Sequence, residues 1–388
     1  MIHKLDQMLP HMKRILILLF GIWMSNTYAQ KQDILVVGHS LSDAIPEMLK
    51  SFGEDQGPEI DYTYTQIIGS PLHYQWSCLR NPSNWPGNFP DGKIYPFYHP
   101  DHGLPSGQFE HLILNEGVPR IDNQWGIEET KRFVDSFYVF ATEYRSDIAI
   151  YLSELWHCLD SGTPTGCHYD EDSNPWRQRL DDDLPMWEKA VDYLNDKYNP
   201  NPPMTLIPSG QAMATLYDSI EAGAFPGASS IDQFFDDRIH GNDTVRYLVA
   251  CVNYAAVTGR SPVGLTNEPK KWWGGSFGFI PEDMANKLQT IAWQTVCSYP
   301  HNDISCTTGT DDLNEIFGHI DYDQITSTIT VQADKNAWIR VIDVHGRNLL
   351  ESPLEPGSSQ FEITLKSGAY WIALTSGKSR IVQPIIRL

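Results

Sequence analysis

Basic residues are scarce in this sequence, and the shortage excludes several kinds of partner. Its 388 residues contain 28 Lys and Arg against 49 Asp and Glu, which gives a formal net charge of −21. Nucleic acids and anionic membrane surfaces would repel so acidic a chain. We therefore expect no nucleic-acid partner, and a neutral small molecule such as a sugar is better matched to the charge.

Long apolar runs are absent after Trp23, so we expect no membrane span in the mature protein. Before that point, Lys13 and Arg14 precede the apolar run Ile15–Trp23, which is too short to cross a bilayer, and small residues follow up to Ala29. This order is typical of a secretory signal. The sequence therefore predicts a signal peptide over 1–29 and a soluble protein that is secreted, periplasmic or at the outer surface.

Cysteine is also sparse, with six residues, and none has the spacing of a zinc site or a C-x-x-C redox motif. Export would permit disulfides. Two pairs flank a turn or a helix end and are predicted to bond: Cys158 with Cys167, and Cys297 with Cys306. Cys251 lies in an apolar helical segment and is either a buried thiol or a partner for Cys78.

Strand and helix patterns alternate along most of the chain. Asp33–Gly38 and His111–Asn115 are apolar without the two-residue alternation of a half-exposed strand, as in a parallel sheet covered on both faces. Amphipathic segments such as Lys131–Tyr144 and Pro185–Tyr198 separate the strands. The pattern predicts an α/β fold with helices on both faces of a parallel sheet. Residues 159–184 are polar and acidic and are predicted to be exposed surface.

The character of the chain changes after residue 300. Short alternating segments such as Trp338–Val344 and Tyr370–Ala373, separated by turns, predict a small β-sandwich of roughly 70 residues. We therefore predict three regions after the signal peptide: a catalytic domain at 30–300, a linker at 301–319 and a β-sandwich at 320–388.

Ser40 follows the first predicted strand, just after Gly38 and His39. Ligands of open α/β sheets bind outside the carboxyl ends of the strands. A serine there, with its N–H near a helix start, suits a nucleophile, although it would also suit a simple helix cap. Asp237 and His240 form a D-x-x-H step after the last strand, where the carboxylate can orient the imidazole as a general base.

Two further strand ends offer hydrogen-bond donors. Gly69 and Asn115 each end a strand predicted to neighbour the first one. With the N–H of Ser40, the Gly69 N–H and the Asn115 amide would form an oxyanion hole. Taken singly, Gly69 is also explained as a turn residue and Asn115 as a loop cap.

These residues occur in the order of a known pattern. Gly38-His39-Ser40-Leu41, Gly69, Asn115 and Asp237 with His240 resemble the four blocks of the SGNH, or GDSL-type, hydrolases, over residues 33–265. The resemblance implies a flavodoxin-like three-layer α/β/α sandwich with Ser40 as nucleophile, His240 as base and Asp237 as the residue that orients it. We expect no metal and no cofactor. The chain departs from that pattern at His39, where G-D-S-L has Asp, and at Glu116, where G-x-N-D has Asp.

An irregular aromatic region lies at residues 70–109. Long ordered loops are commonly functional, so we predict that Trp76, Trp85 and Tyr95 bind substrate by stacking on sugar rings. Packing of these rings onto the body of the domain is the alternative. His99-x-x-His102 has no helical spacing, and we do not interpret it as a metal site.

The C-terminal region resembles the sorting domain of the type IX secretion system of Bacteroidetes. The resemblance rests on Val341–Arg347, Ser367–Tyr370 and Arg380–Val382, and it implies the secretion machinery as a partner. A sugar-binding β-module is the competing interpretation.

The sequence therefore predicts a secreted serine esterase that removes acyl groups, acetyl above all, from a carbohydrate. The alternatives are a non-catalytic carbohydrate-binding protein on the same fold, or a lipase, thioesterase or other ester hydrolase. Gly274–Gly278 also fits G-x-S-x-G, but Lys270–Trp273 before it is a poor strand and no suitable Asp and His follow. We therefore reject Ser276 as a nucleophile.

Overall fold

A parallel sheet of five strands organises the larger of two units, which divide near residue 304. In the computed structural model the described residues are 31–55, 57–79, 94–117, 126–160, 174–301, 318–323, 328–333, 336–343, 347–363, 365–366, 368–376 and 379–387. The predicted signal peptide lies outside them. The sheet strands are β1 (Gln32–Gly38), β2 (Ile60–Gln66), β3 (His111–Asn115), β4 (Ala149–Ser153) and β5 (Thr205–Ile207).

The strand order is β2-β1-β3-β4-β5, and every pairing is parallel. Every residue of β3 is buried, and β1 is buried from Ile34 to Gly38. Strands with both faces covered need no polar alternation, which explains their continuous apolar sequences.

Helices cover the sheet: α1 (Ile45–Asp55), α2 (Leu72–Leu79), α3 (Ile127–Thr142), α4 (Trp176–Tyr198), α5 (Ser209–Glu221), α6 (Asp243–Thr258) and α7 (Glu282–Ser298). The chain passes from β1 to β2 in one direction and from β3 to β5 in the other. Right-handed crossovers therefore place α1 on one face and α3 and α4 on the opposite face. The order is that of flavodoxin-like folds, and the fold-class prediction is confirmed.

The start of α4 corrects one prediction. Residues 159–184 were expected to be exposed surface, but α4 begins at Trp176 rather than at Pro185. Trp176, Arg179 and Asp183 are buried within this first half of the helix. The charged residues Arg179 and Asp183 make this buried face look exposed in the sequence, because Arg and Asp are normally exposed unless they are paired.

The second unit contains two antiparallel sheets, β10-β7-β6 and β12-β11-β8-β9. Its strands are β6 (Gly318–Asp323), β7 (Thr328–Ala333), β8 (Ala337–Asp343), β9 (Asn348–Leu354), β10 (Gly357–Glu362), β11 (Gly368–Ser376) and β12 (Ser379–Arg387). Alternate residues of β7, β8 and β11 pack together, including Val331, Ile339 and Ile372. The predicted small β-sandwich is present.

The cysteines agree with part of the prediction. Cys251 is a free and buried thiol in α6, so it is no partner for Cys78. Cys158 and Cys297 are each part of a disulfide bond. Cys167 and Cys306, their predicted partners, lie outside the described residues, so the two pairings stay predictions.

Candidate active site

The site lies where the strand order reverses, between the carboxyl ends of β1 and β3. Ser40 opens a short 3-10 turn, Ser40–Ser42, directly after β1. His39 caps this turn: its Nδ1 accepts the Leu41 N–H at 3.4 Å, and the Ser42 Oγ accepts the His39 N–H at 3.3 Å. Tyr64 donates to the His39 carbonyl at 2.8 Å. The backbone on either side of Ser40 is therefore held from β1 and β2 together.

His39 occupies the position where the GDSL pattern has Asp. Its Nε2 lies 3.2 Å from the Glu116 carbonyl oxygen and donates to it, since Nδ1 is the acceptor at the cap. Burial lowers the pKa of His39 to about 4, with the Glu116 carbonyl opposing and the nearby His240 adding to the effect. The imidazole is therefore neutral at pH 7 and links the end of β1 to the end of β3.

Ser40, His240 and Asp237 form a continuous chain of hydrogen bonds. The Ser40 Oγ lies 2.9 Å from His240 Nε2, and His240 Nδ1 lies 2.6 Å from Asp237 Oδ2. The other carboxylate oxygen, Oδ1, accepts the backbone N–H groups of Ile239 and His240, each at 2.8 Å. The carboxylate thereby fixes both the loop and the imidazole, and it assigns the proton to Nδ1.

The charge on Asp237 follows from these contacts. Partial burial alone would raise its pKa, but the N–H groups of His240 and Ile239 and the imidazole outweigh burial and lower the pKa below its ordinary value. Asp237 is therefore a carboxylate at neutral pH. A serine hydroxyl, an imidazole and a carboxylate in this arrangement can transfer the serine proton to Nε2.

The loop that carries His240 is closed on itself and anchored from β4. Asp236 N donates to the His240 carbonyl at 2.8 Å, and Phe235 pairs with Gly241. The buried Trp156, just after β4, donates its indole N–H to the Ile239 carbonyl at 2.8 Å. Leu159 N donates to the Arg238 carbonyl at 2.8 Å. Sequence reasoning missed Trp156, because a lone Trp after a strand has no motif to mark it.

A buried polar layer lies behind Trp156. The indole of Trp176 donates to the His157 carbonyl at 2.9 Å, and Arg179 donates to the Cys158 carbonyl at 2.6 Å. The imidazole of His157 pairs with Asp183. All three donors and acceptors from α4 are buried, so the segment after β4 is fixed to α4 before it reaches the His240 loop.

Gly69 and Asn115 both lie at the same edge as Ser40. Gly69 sits in an exposed turn with φ of +66°, a conformation that favours glycine, and this turn begins at Ile67, whose N–H binds the Gly38 carbonyl at 3.1 Å. The amide of Asn115 is buried and donates from Nδ2 to the Val37 carbonyl at 3.0 Å. A second hydrogen on that nitrogen remains for another acceptor.

Glu116, the next residue, uses its carboxylate to bind groups of neighbouring elements. Its Oε1 accepts the N–H groups of Leu72 and Gly117, at 2.9 and 2.7 Å, and its Oε2 accepts the Thr130 hydroxyl at 2.9 Å. The carboxylate therefore ties the start of α2 to the end of β3. The turn at Ile67–Pro71 and the His73 and Tyr74 side of α2 line a surface recess of about 430 Å³ beside Gly69.

The structure places the aromatic residues as follows. The Trp76 ring stacks on Phe97 at 5.4 Å and meets Phe137 edge-on at 5.1 Å, contacts of the packing alternative. Tyr95 stacks on His102 at 4.1 Å, beside the end of β2. Trp85 lies outside the described residues. Substrate binding by the three stays a prediction.

The described residues contain no group of three or more His, Cys, Asp and Glu arranged to hold a metal ion. No helix in the same part of the chain has the length and apolar character that a bilayer crossing requires.

Comparisons with known proteins give only distant likenesses. No family model and no curated protein matches the chain. A solved structure of a DUF4886 family protein from Bacteroides uniformis is 16% identical with a TM-score of 0.44, over 70% of this chain and 96% of that one. A protein from Parabacteroides merdae whose name describes it as a GDSL-like lipase is 12% identical with a TM-score of 0.38, over 60% and 99%.

A third structure, of a gut microbial enzyme that metabolises diltiazem, is 9% identical with a TM-score of 0.32, over 83% of this chain and 60% of that one. TM-scores below 0.5 and identities this low support no functional conclusion. Any functional conclusion therefore depends on the geometry of the chain itself.

Proposed function

We propose that this protein is a serine hydrolase of carboxylic esters, with Ser40 as the nucleophile, His240 as the general base and Asp237 as the residue that orients it. The observation that supports the proposal is the pair of hydrogen bonds from Ser40 Oγ to His240 Nε2 and from His240 Nδ1 to Asp237 Oδ2, at 2.9 and 2.6 Å. These residues come from opposite ends of the domain. A purely structural role would not require all three in this order.

The proposed reaction has two halves. Ser40 Oγ bonds to the ester carbonyl carbon while its proton passes to His240 Nε2. The tetrahedral intermediate then expels the alcohol, which takes that proton, and leaves an acyl-serine. Water attacks the acyl carbon, gives its proton to His240 and releases the acid, and the proton returns to Ser40.

The negative oxygen of the intermediate needs donors. We propose the N–H groups of Ser40 and Gly69 and the remaining N–H of the Asn115 amide. All three lie at the ends of the neighbouring strands β1, β2 and β3. Loss of one such donor typically lowers kcat by about 10²–10³.

For the substrate, we propose acetyl or other short acyl esters of a neutral carbohydrate. The acidic charge disfavours polyanions, and the open recess of about 430 Å³ beside Gly69 has room for a short acyl group. Secretion is supported by the pattern of residues 1–29. A sorting role for the β-sandwich rests on its sequence motifs.

The direct test is hydrolysis of 4-nitrophenyl acetate by the chain without residues 1–29. We expect Ser40→Ala to lower kcat by at least about 10⁴-fold, because the nucleophile is lost while the fold is kept. Ser136→Ala, at a half-buried serine on α3, is the matched control and should retain full activity. Activity that survives in a folded Ser40→Ala protein would disprove the assignment of the nucleophile.

A further inference from the structure

The connection between α6 and α7 follows the surface of α1 toward the active-site edge. Three of its backbone N–H groups donate hydrogen bonds to side chains of α1, in order from the last turn of that helix to the first. Thr266 donates to Asp55 at 3.0 Å, Lys270 to Ser51 at 2.9 Å, and Trp272 to Glu47 at 2.8 Å. The first turn of α1 follows the 3-10 turn of Ser40. The connection therefore reaches the edge that carries the nucleophile.

There the chain reverses in a hairpin. Lys270 pairs with Ser276, and the tip lies at residues 272–275. After the hairpin, Gly278 N donates to Asp243 Oδ2 at 2.6 Å, and Asp243 is the first residue of α6, close behind His240. One arm of the hairpin is thus tied to the element that follows Ser40, and the other to the element that follows His240.

The glycines of the rejected G-x-S-x-G pattern explain the shape of the hairpin. Gly274 has φ of +82°, which the reversal requires. A Cβ on Gly275 would lie 2.5 Å from Nε1 of Trp273, so a larger residue there would displace this indole. The glycines therefore shape the tip that carries the two tryptophans.

These tryptophans are exposed. Trp272 is 44% and Trp273 is 58% accessible, and their ring centroids lie 5.4 Å apart at an angle of 79°. Burial of an indole is strongly favourable, so two adjacent exposed rings at the edge of a site indicate a surface for a ligand.

We propose that Trp272 and Trp273 form a stacking subsite for a sugar ring of the ester substrate. The inference rests on the proposed function, since it places the sugar beside the acyl group that Ser40 would attack. A pyranose offers a C–H face to an indole and hydroxyl groups at its rim.

The surroundings favour a sugar over an aliphatic acyl chain. The Lys271 ammonium lies 5.2 Å from the centre of the Trp273 ring, and the Lys270 ammonium lies 3.1 Å from the Ser276 hydroxyl. An acyl chain would desolvate these groups without bonding to them, whereas sugar hydroxyls can bond to them.

The first experiment measures binding without turnover. The chain without residues 1–29 is titrated with xylohexaose, cellohexaose and mannohexaose, by calorimetry and by tryptophan fluorescence. We expect at least one to bind, and Trp272→Ala/Trp273→Ala to weaken that binding by about tenfold or more. The single variant Trp273→Phe should keep most of the saccharide affinity, since a phenyl ring can still stack. Tyr144→Ala is the control, because Tyr144 is an exposed ring before β4, at the opposite edge of the sheet.

The second experiment measures hydrolysis of the acetylated form of the hexaose that binds. In the double variant its KM should rise by about tenfold, with a smaller change in kcat. If none of the three binds the wild-type chain, or if the double variant binds as tightly as wild type, the subsite is disproved. It is also disproved if the variant loses 4-nitrophenyl decanoate hydrolysis while keeping its saccharide affinity. If the wild-type chain hydrolyses no ester, the proposed function is refuted instead, and the binding titrations still test the subsite.

Discussion

His39 is a neutral imidazole where a related sequence pattern has a carboxylate. It accepts the Leu41 N–H and donates to the Glu116 carbonyl, so it connects the turn of Ser40 to the end of β3. An Asp at this position could accept the Leu41 N–H but would have no hydrogen for the Glu116 carbonyl at neutral pH. The departure from the pattern at His39 therefore adds a hydrogen bond to the Glu116 carbonyl.

The buried imidazole makes stability depend on pH. Its pKa is lowered to about 4 in the folded chain, while in the unfolded chain it is near 6.5. Below pH 6.5 the His39 imidazole therefore binds a proton in the unfolded state but stays neutral in the folded state. The free energy of unfolding decreases as the pH falls, until the pH reaches the folded pKa. We expect the wild type to lose on the order of 1–2 kcal/mol more than His39→Asn between pH 7 and pH 5.

Urea unfolding of both proteins at the two pH values measures this difference. Titrating groups other than His39 and the nearby His240 contribute equally to both chains, so subtraction isolates His39 together with its interaction with His240. Equal losses in the two proteins would mean that His39 is protonated as readily in the folded state as in the unfolded state.

At the scale of elements, the segment after β4 supports the loop that carries His240, the proposed base. Trp156 donates to the Ile239 carbonyl, immediately before His240, and the residues that follow it are bound to α4. Trp156 is therefore a positioning residue in the proposed reaction. It acts through the backbone of the loop rather than on the substrate.

Trp156→Phe tests this role, because it keeps an aromatic ring and removes the indole donor. We expect kcat for 4-nitrophenyl acetate to fall by about tenfold with little change in KM, since the base is displaced while the binding surface is kept. The pH profile of kcat should also change shape, because the environment of the imidazole changes.

Trp187→Phe supplies the control. Trp187 is equally buried, in α4, and loses the same volume when substituted. A similar loss of stability in both variants, with a fall in kcat only for Trp156→Phe, would support positioning. Equal kcat in the two variants would reduce Trp156 to a packing residue.

The elements that the sequence predicted well are those with continuous apolar character. His111–Asn115 is a strand over the predicted residues, and β1 begins one residue before the predicted Asp33–Gly38. The start of α4 was missed because Arg179 and Asp183 are buried as partners of a backbone carbonyl and an imidazole. Such pairs are formed between distant segments, and periodicity in a single segment cannot reveal them.

The candidate site divides in the same way. Ser40, Asp237 and His240 were predicted because each follows a recognisable strand or lies at a short, fixed spacing, and the structure brings the three together. Trp156, Trp272 and Trp273 could not be predicted. The position of Trp156 depends on how the chain after β4 packs, and the positions of Trp272 and Trp273 depend on how the connection between α6 and α7 packs against α1. Neither segment has a repeating sequence pattern.

At the scale of the whole molecule, the charge of −21 should select among substrates. A negative field repels anionic esters and leaves neutral ones unaffected, and salt screens it over a Debye length of about 10 Å at 0.1 M. We expect kcat/KM for the 4-nitrophenyl monoester of succinate to rise several-fold between about 20 and 300 mM NaCl.

The neutral 4-nitrophenyl acetate is the control and should change little over the same range. Initial rates at low substrate concentration measure both. A parallel response of the two esters would mean that salt acts on the protein itself rather than on the approach of the substrate.

The two hydrogen bonds of the candidate triad differ greatly in their reach along the chain. Asp237 and His240 lie within a single loop, whereas Ser40 is 200 positions from His240. The Asp237–His240 hydrogen bond therefore closes only a short loop, whereas the Ser40–His240 hydrogen bond requires β1 to be paired in the sheet. If the proposed function is right, we expect turnover to return during refolding no earlier than the bulk helix signal.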